Sequence, residues 1–533
     1  MDRRLQPREL KELLQTTQEY AVLDVREEGA FSETHLLAAS NLPLSRLEFR
    51  APSLVPNFGA RIVLMDEGGE GLAEEAFERL TGLGYRSLQI LAGGVRAWEA
   101  EGYSVYSGVN VLSKAFGEVV YERCGTPDIT AETLKAWVDA GKDMVILDSR
   151  PFSEYHEHTI PGSISMPGAE LAFRVHELAA DPDTAIVVNC AGRTRSIIGC
   201  QSLRNAGLPN DVYCLRNGTM GWKLAGFGLE TQQTRSVGTI SPAGRARAQD
   251  CQQHVVQTFG VRFADADAVE AWAGDPGRTV YLLDVRTPEA FEAGHLPFAS
   301  NAPGGQLVQA TDEYVAVHNA TLVLIDPDTV RAAMTASWLM QLGWKNVFVL
   351  EGTREPSLAG ADRPAADWRP PDGPTLTAAD LQARLASPGK VLVFDVATSV
   401  KHRQGHVPGA AWGVRGRYEL LKPDLDRFEE VVVTGDDPRL VALTADDLRR
   451  ETDKPVFMLA DGNAGWVEAG YPLQEGLETR YSDCDDVWYK PFEYDDPDRE
   501  REAANAYLKW EVELVEKIER DGVSFALATA AKG

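Results

Sequence analysis

Cysteine is the residue type on which chemistry in this chain would turn. The six cysteines, at 124, 190, 200, 214, 251 and 484, are too sparse for a disulfide framework, and none forms the C-x-x-C pair typical of zinc sites. Cys190 closes the apolar run AIVVNC and is followed by Ala191, Gly192, Arg193, Thr194, Arg195 and Ser196, then by the helical stretch IIGCQSLRNAG. A strand, a short loop and a helix in that order aim successive main-chain N–H groups and the positive end of a helix dipole at one point. That point is the Cys190 sulfur. Such a ring favours thiolate over thiol, and Arg193 and Arg195 add positive charge, so Cys190 is expected to be the reactive cysteine. The residues alone leave a second reading open, a small core residue beside two solvent-facing arginines. Cys200, in an apolar helix, and Cys214, in VYCL, read as core. His156 and His158 flank Glu157 without a third ligand at metal spacing, so neither metal nor cofactor is expected.

The elements that must hold Cys190 recur along the chain. An apolar run ending in Asp appears four times, at Asp24, Asp148, Asp284 and Asp395, and a small-residue turn follows at Gly94, Gly218, Gly352 and Gly462. The separations are 70, 70, 68 and 67 residues, a register unrelated segments would not keep. Between these landmarks lies a middle strand, RIVLMD, AIVVNC, TLVLID or EVVVTGDD, and a helical stretch follows it. Short apolar strands alternating with helices predict βαβ units on a parallel sheet. The fold expected is therefore α/β: four tandem domains, each a small, mostly parallel sheet flanked by helices, plus a C-terminal helix. The position 42 residues after the landmark Asp is Asp66, Cys190 and Asp326 in the first three copies, and Asp437, or Asp436 with a one-residue shift, is expected to match it in the fourth. Only the second copy offers a nucleophile.

The implied domains are 1–106, 128–232, 259–353 and 374–480, separated by linkers at 107–127, 233–258 and a Pro-rich 354–373. An acidic segment, 481–533, ends the chain. There, DPDREREAANAYLKWEVELVEKIERDG reads as a helix with an apolar stripe of Ala506, Leu508, Trp510, Val512, Leu514, Val515 and Ile518, packed across a neighbouring domain. The chain's 533 residues carry a formal charge of −27, which disfavours nucleic acid as a partner. The N-terminus MDRRLQPREL lacks an apolar signal stretch and no run is long enough to span a bilayer. No membrane partner and a cytoplasmic location are expected.

At these motifs the sequence resembles the rhodanese family of sulfurtransferases, closest to multi-domain thiosulfate sulfurtransferases. LDSRPFSEYHEHTIPGSISMP carries the family's Asp-x-Arg, Glu-Tyr and Ile-Pro-Gly pattern, Cys190 to Arg195 matches its six-residue active loop, and Gly218 to Trp222 matches its later Gly…Trp signature. Two departures stand out: His158-Thr159 replaces the family's Gly-His, and Gly192 comes third in the loop. The resemblance implies that the Cys190 thiolate takes a sulfane sulfur from a small anionic donor such as thiosulfate, and that a thiophilic acceptor, cyanide or a thiol, removes it. The amides of residues 191–196 would stabilise the terminal sulfur, and Arg193 and Arg195 would bind the donor's sulfonate. Arg174 is a further binding candidate or an exposed helix charge. Asp148 and Arg150 are expected to form a buried support pair. Two rivals stand beside this reading: a cysteine phosphatase or arsenate reductase, which needs Cys-x5-Arg where this chain has Ser196, and a sulfur-relay scaffold whose acceptor is a protein.

Overall fold

The computed structural model describes residues 3–69, 71–352, 356, 368–386, 389–494 and 496–527. The Pro-rich linker read at 354–373 lies largely outside them.

The apolar runs ending in Asp are central strands, and they pair in four sheets. In the second, the order is Asp128–Ile129, Val212–Leu215, Ala185–Asn189, Met144–Asp148, Ile164–Ser165, and every pairing is parallel. The third and fourth sheets repeat this order around Val280–Asp284 and Val391–Asp395. The first does so around Tyr20–Asp24, but there Val317–His318 from the third repeat adds an antiparallel strand, Val317 opposite Ala21 and His318 opposite Tyr20. Parallel strands need crossover connections, and the helices that supply them cover both faces.

The connections 107–127 and 233–258 carry helices, Val111–Cys124 and Pro242–Phe259. The first escapes an amphipathic reading because it is enclosed on most sides, with nine of its residues buried, among them Lys114 and Glu118. It packs on Thr194–Asn205, the helix after Cys190, and on the C-terminal helix Pro497–Arg520. Gly117 permits the close approach, since a Cβ there would stand 2.8 Å from Thr194 Cγ2. From the third repeat, Val330–Leu342 joins the same core, with Trp338 Nε1 donating to Ser202 Oγ at 2.8 Å. The first three repeats thus share one hydrophobic core, while the fourth builds its own. It docks on the first through the buried Arg415, which pairs with Glu48 and Asp447.

The C-terminal helix buries Ala504, Leu508, Glu511, Leu514 and Ile518. The expected stripe is corrected at Ala506 and Val512, which face solvent, because the buried set recurs every three or four residues and those positions fall outside it.

Candidate active site

Asp148 ends its strand fully buried and accepts four side-chain donors. Arg150 supplies Nε and Nη2, at 2.9 and 2.8 Å, Thr159 Oγ1 lies at 2.8 Å and Asn189 Nδ2 at 3.2 Å. A buried pair is tolerable when its lone pairs are filled in this way. Ser149 donates from N and Oγ to the Asn189 carbonyl, so the strand end holds the residue immediately before Cys190. Thr159, where the other repeats place His35, His295 and His406, fills the Asp148 shell. Those histidines stack on Phe31, Phe291 and His402, so the position is a packing site.

The loop is pinned from the far side by the Gly218 turn. Thr219 N donates to the Cys190 carbonyl at 2.8 Å and Met220 N to that of Ala191 at 3.0 Å. Gly218 has φ +54°, and a Cβ there would stand 2.2 Å from the Cys190 oxygen, so only glycine fits. The helix begins at Thr194, three residues before the expected start at Ile197, which brings its positive end closer to the sulfur. Cys190 Sγ lies 3.4 Å from Ser196 Oγ, whose own hydroxyl donates to the Arg193 carbonyl, and the Ser196 N–H also faces the sulfur.

The arginines do not face solvent. Arg193 makes a two-pronged pair with Glu118, both bonds 2.6 Å, and donates to Asn217. Arg195 makes another with Glu154, at 2.7 and 2.9 Å, and donates to Gln306 of the third repeat. Burial alone would raise the Glu154 carboxyl, yet the Arg195 charge and hydrogen bonds hold it down at about 2. Arg174 pairs with Glu170 and the Gly238 carbonyl. It stands in the wall of a cavity of about 590 Å³ between the second and third repeats, with Phe152, Glu289 and Gln306, and Cys190 is not part of that wall.

The C-terminal helix roofs the loop. Thr194 Oγ1 donates to Glu511 Oε1 at 2.7 Å, and a Cβ built on Gly192 would stand 3.2 Å from the Tyr507 ring and 3.5 Å from Glu511 Oε2. Lys114 lies alongside, its ammonium 4.8, 5.2 and 4.8 Å from the centres of Trp488, Tyr507 and Trp510. Burial brings Lys114 down to about 8 against the pull of Glu511, Asp312 and Glu313. Under this roof Cys190 is 1% exposed. Its ionisation corrects the expectation of a favoured thiolate: burial pushes the thiol up, and the Arg195 charge and Ser196 hydrogen bonds offset this only in part. Sequence reasoning missed Glu118, Tyr507 and Glu511, and read Glu154 only as part of the Glu-Tyr pattern without a partner. The one legible sign was Glu511 itself, an acid in helical phase with Leu508, Leu514 and Ile518.

The equivalent slot elsewhere is self-satisfied. Asp66 accepts from the amides of Gly68, Gly69 and Ala73, and Asp326 from the amides of Asp328 and Arg331 and from the Arg331 guanidinium. In the fourth repeat the slot belongs to Gly435, correcting Asp437 and Asp436. Asp395 pairs with Thr434 in the register by which Asp148 pairs with Asn189, and Asp437 instead caps the helix Pro438–Glu451. Among the described residues no group of His, Cys, Asp or Glu is arranged to hold a metal, and no helix is long and apolar enough to cross a membrane.

A cysteine at the head of a strand-loop-helix, at a slot that sibling sheets fill with Asp or Gly, defines the class: the chain belongs to the rhodanese-like domain family, whose model matches residues 6–101, 130–225 and 265–355. In structure and sequence it is similar to a thiosulfate sulfurtransferase from Pseudomonas aeruginosa, 45% identical, with a TM-score of 0.85 over 97% of this chain and 98% of that one. Shorter stretches are similar to the HTH-type transcriptional regulator Rv0324 of Mycobacterium tuberculosis, 36% identical over 20% of this chain and 46% of that protein. Another resembles the putative sulfur carrier protein YrkF of Bacillus subtilis, 31% identical over 16% and 45%. The chain thus spans less than half the length of these two relatives.

Proposed function

We propose that the chain is a sulfurtransferase that moves a sulfane sulfur from thiosulfate, or a similar anionic donor, through a Cys190 persulfide to cyanide or a thiol. The observation that carries this reading is the Cys190 sulfur at the mouth of a compact loop whose amides, from Ala191 to Ser196, precede or open a helix and have no earlier turn to bond. The thiol loses its proton, and the thiolate attacks the donor's outer sulfur. A new S–S bond forms on Cys190, and sulfite leaves with the electron pair of the broken one. The loop amides hold the charge on the persulfide's terminal sulfur, as preorganised donors do for an oxyanion. Asp148 and Arg150 act as supports, fixing the strand end from which the loop springs. Because Arg193 and Arg195 are already spent on Glu118 and Glu154, their part is to set the loop's shape and field, and a donor's sulfonate must share or displace those carboxylates. Arg174 is left as a candidate only for ligands of the neighbouring cavity.

The similarity to the Pseudomonas aeruginosa enzyme supports the same reading. A buried sulfur cannot be reached while the roof is closed, so donor entry includes a displacement of the C-terminal helix. The six cysteines are unpaired, which fits a reducing, cytoplasmic setting, and the charge of −27 argues against a nucleic-acid partner. The test is intact mass spectrometry after incubation with thiosulfate. The wild type should gain one sulfur and Cys190→Ser none. A gain that survives the substitution, or hydrolysis of p-nitrophenyl phosphate faster than sulfur transfer, would overturn the reading. Transfer from the persulfide to a thiol-bearing protein much faster than to cyanide or small thiols would favour the relay role.

A further inference from the structure

Glu511 sits where sulfur transfer from an anion has no evident use for a carboxylate. It is 1% exposed, over the loop that is to receive a negatively charged donor. Oε1 is accounted for by the Thr194 hydroxyl. Among the described residues Oε2 has no partner at full hydrogen-bond geometry, with the Tyr507 hydroxyl close enough to act on the carboxylate, and it is the oxygen nearer Gly192, in the middle of the loop. A buried acceptor left unsatisfied costs about 1–3 kcal/mol, so an unpartnered oxygen aimed at a binding loop calls for a ligand or a proton.

Resting on the Cys190 reading above, we propose that Glu511 is a substrate-binding residue whose free oxygen, in the protonated state, donates a hydrogen bond to the oxygen-bearing end of an anionic sulfur donor on the loop. Ionised, the same oxygen repels that donor. The groups facing Glu511 set the balance: Lys114 and Glu118 from the helix Val111–Cys124, Arg193, Thr194 and Cys190 from the loop, and Tyr507 from its own helix. Burial pushes the Glu511 carboxyl up, and Glu118 adds to this, while Lys114, Thr194 and Arg193 oppose it. A purely structural Glu511, holding Thr194 in place, would do so equally well in either charge state. It would leave no pH signature in donor binding.

The experiment measures the thiosulfate concentration that half-saturates persulfide formation, by intact mass, in the full-length chain at about pH 5.5 and about pH 8.5. For the wild type that concentration should rise about tenfold or more with pH, the size of one unfavourable charge in a buried site. Glu511→Gln keeps an acceptor for Thr194 and a permanent donor, so its value should rise several-fold less than the wild type's, the rise that remains coming from Lys114, which loses charge near pH 8 in both proteins. Glu511→Asp, still an acid, should keep the rise, which separates titration from any general effect of substitution. An amide variant whose half-saturation climbs as steeply as the wild type's, or three proteins that all stay flat, would overturn the proposal and leave the Cys190 reading intact. Absence of persulfide on the wild type at any pH would instead overturn that reading.

Discussion

At the scale of single residues, Cys190 is a thiol held back by its surroundings. Burial raises it while Arg195 and Ser196 pull it down, so removing one of the latter should be visible. Ser196→Ala is expected to shift the pH midpoint of Cys190 alkylation upward, since only the thiolate reacts and the variant lacks the hydroxyl that helps hold the thiol down. Following iodoacetamide labelling by mass across pH checks this, and an unchanged or lower midpoint would remove Ser196 from the sulfur's environment. The candidate nucleophile stood out in the sequence because a constant spacing showed one slot filled by different residue types. The fourth slot misled: Asp437 fits the 42-residue count, but Gly435 fits the strand register. A count of residues cannot detect a connection two residues shorter, whereas pairing of Asp395 with Thr434 does.

At the scale of elements, the roof decides access. Leu508 is buried beneath the C-terminal helix, one turn from both Ala504 and Glu511. Leu508→Ala should cost about 2–5 kcal/mol of packing and loosen the helix. Alkylation of Cys190 at a fixed pH should then quicken about tenfold, for roughly 1.4 kcal/mol less resistance to opening. An unchanged labelling rate in a folded variant would mean the sulfur is reached by another route. The helix was legible from its Asp496-Pro497 start and its apolar spacing, and Asp496 does cap it. Its target was not. The contact between Thr194 and Glu511 joins positions 317 residues apart, and no local pattern encodes so distant a pairing. Glu118 stayed hidden for a related reason: a helix enclosed on most sides shows no polar face to read.

At the scale of the whole molecule, charge is stored where repeats meet. Glu28 of the first repeat and Asp312 of the third line a cavity of about 100 Å³ with Asp486, and burial, then repulsion from Glu313, pushes both carboxyls up to about 7. A carboxyl whose folded pKa exceeds its unfolded value contributes fully below about pH 4 and loses that contribution as pH climbs through about 7. The melting temperature should therefore fall between about pH 5.5 and 8, and Glu28→Gln should recover ~2 °C or more at the upper value while changing little at the lower. Equal melting of the two proteins at both pH values would show that this junction does not couple to stability.

The strand Val317–His318 laid against Tyr20–Ala21 has a consequence for any attempt to dissect the chain. Cut free, the first repeat would present the unpaired N–H and C=O groups of Tyr20 and Ala21 to solvent, an invitation to self-association. Although the sequence counts four siblings, the first and third are joined by hydrogen bonds between strands, and the repeat that carries Cys190 lies between them in the chain.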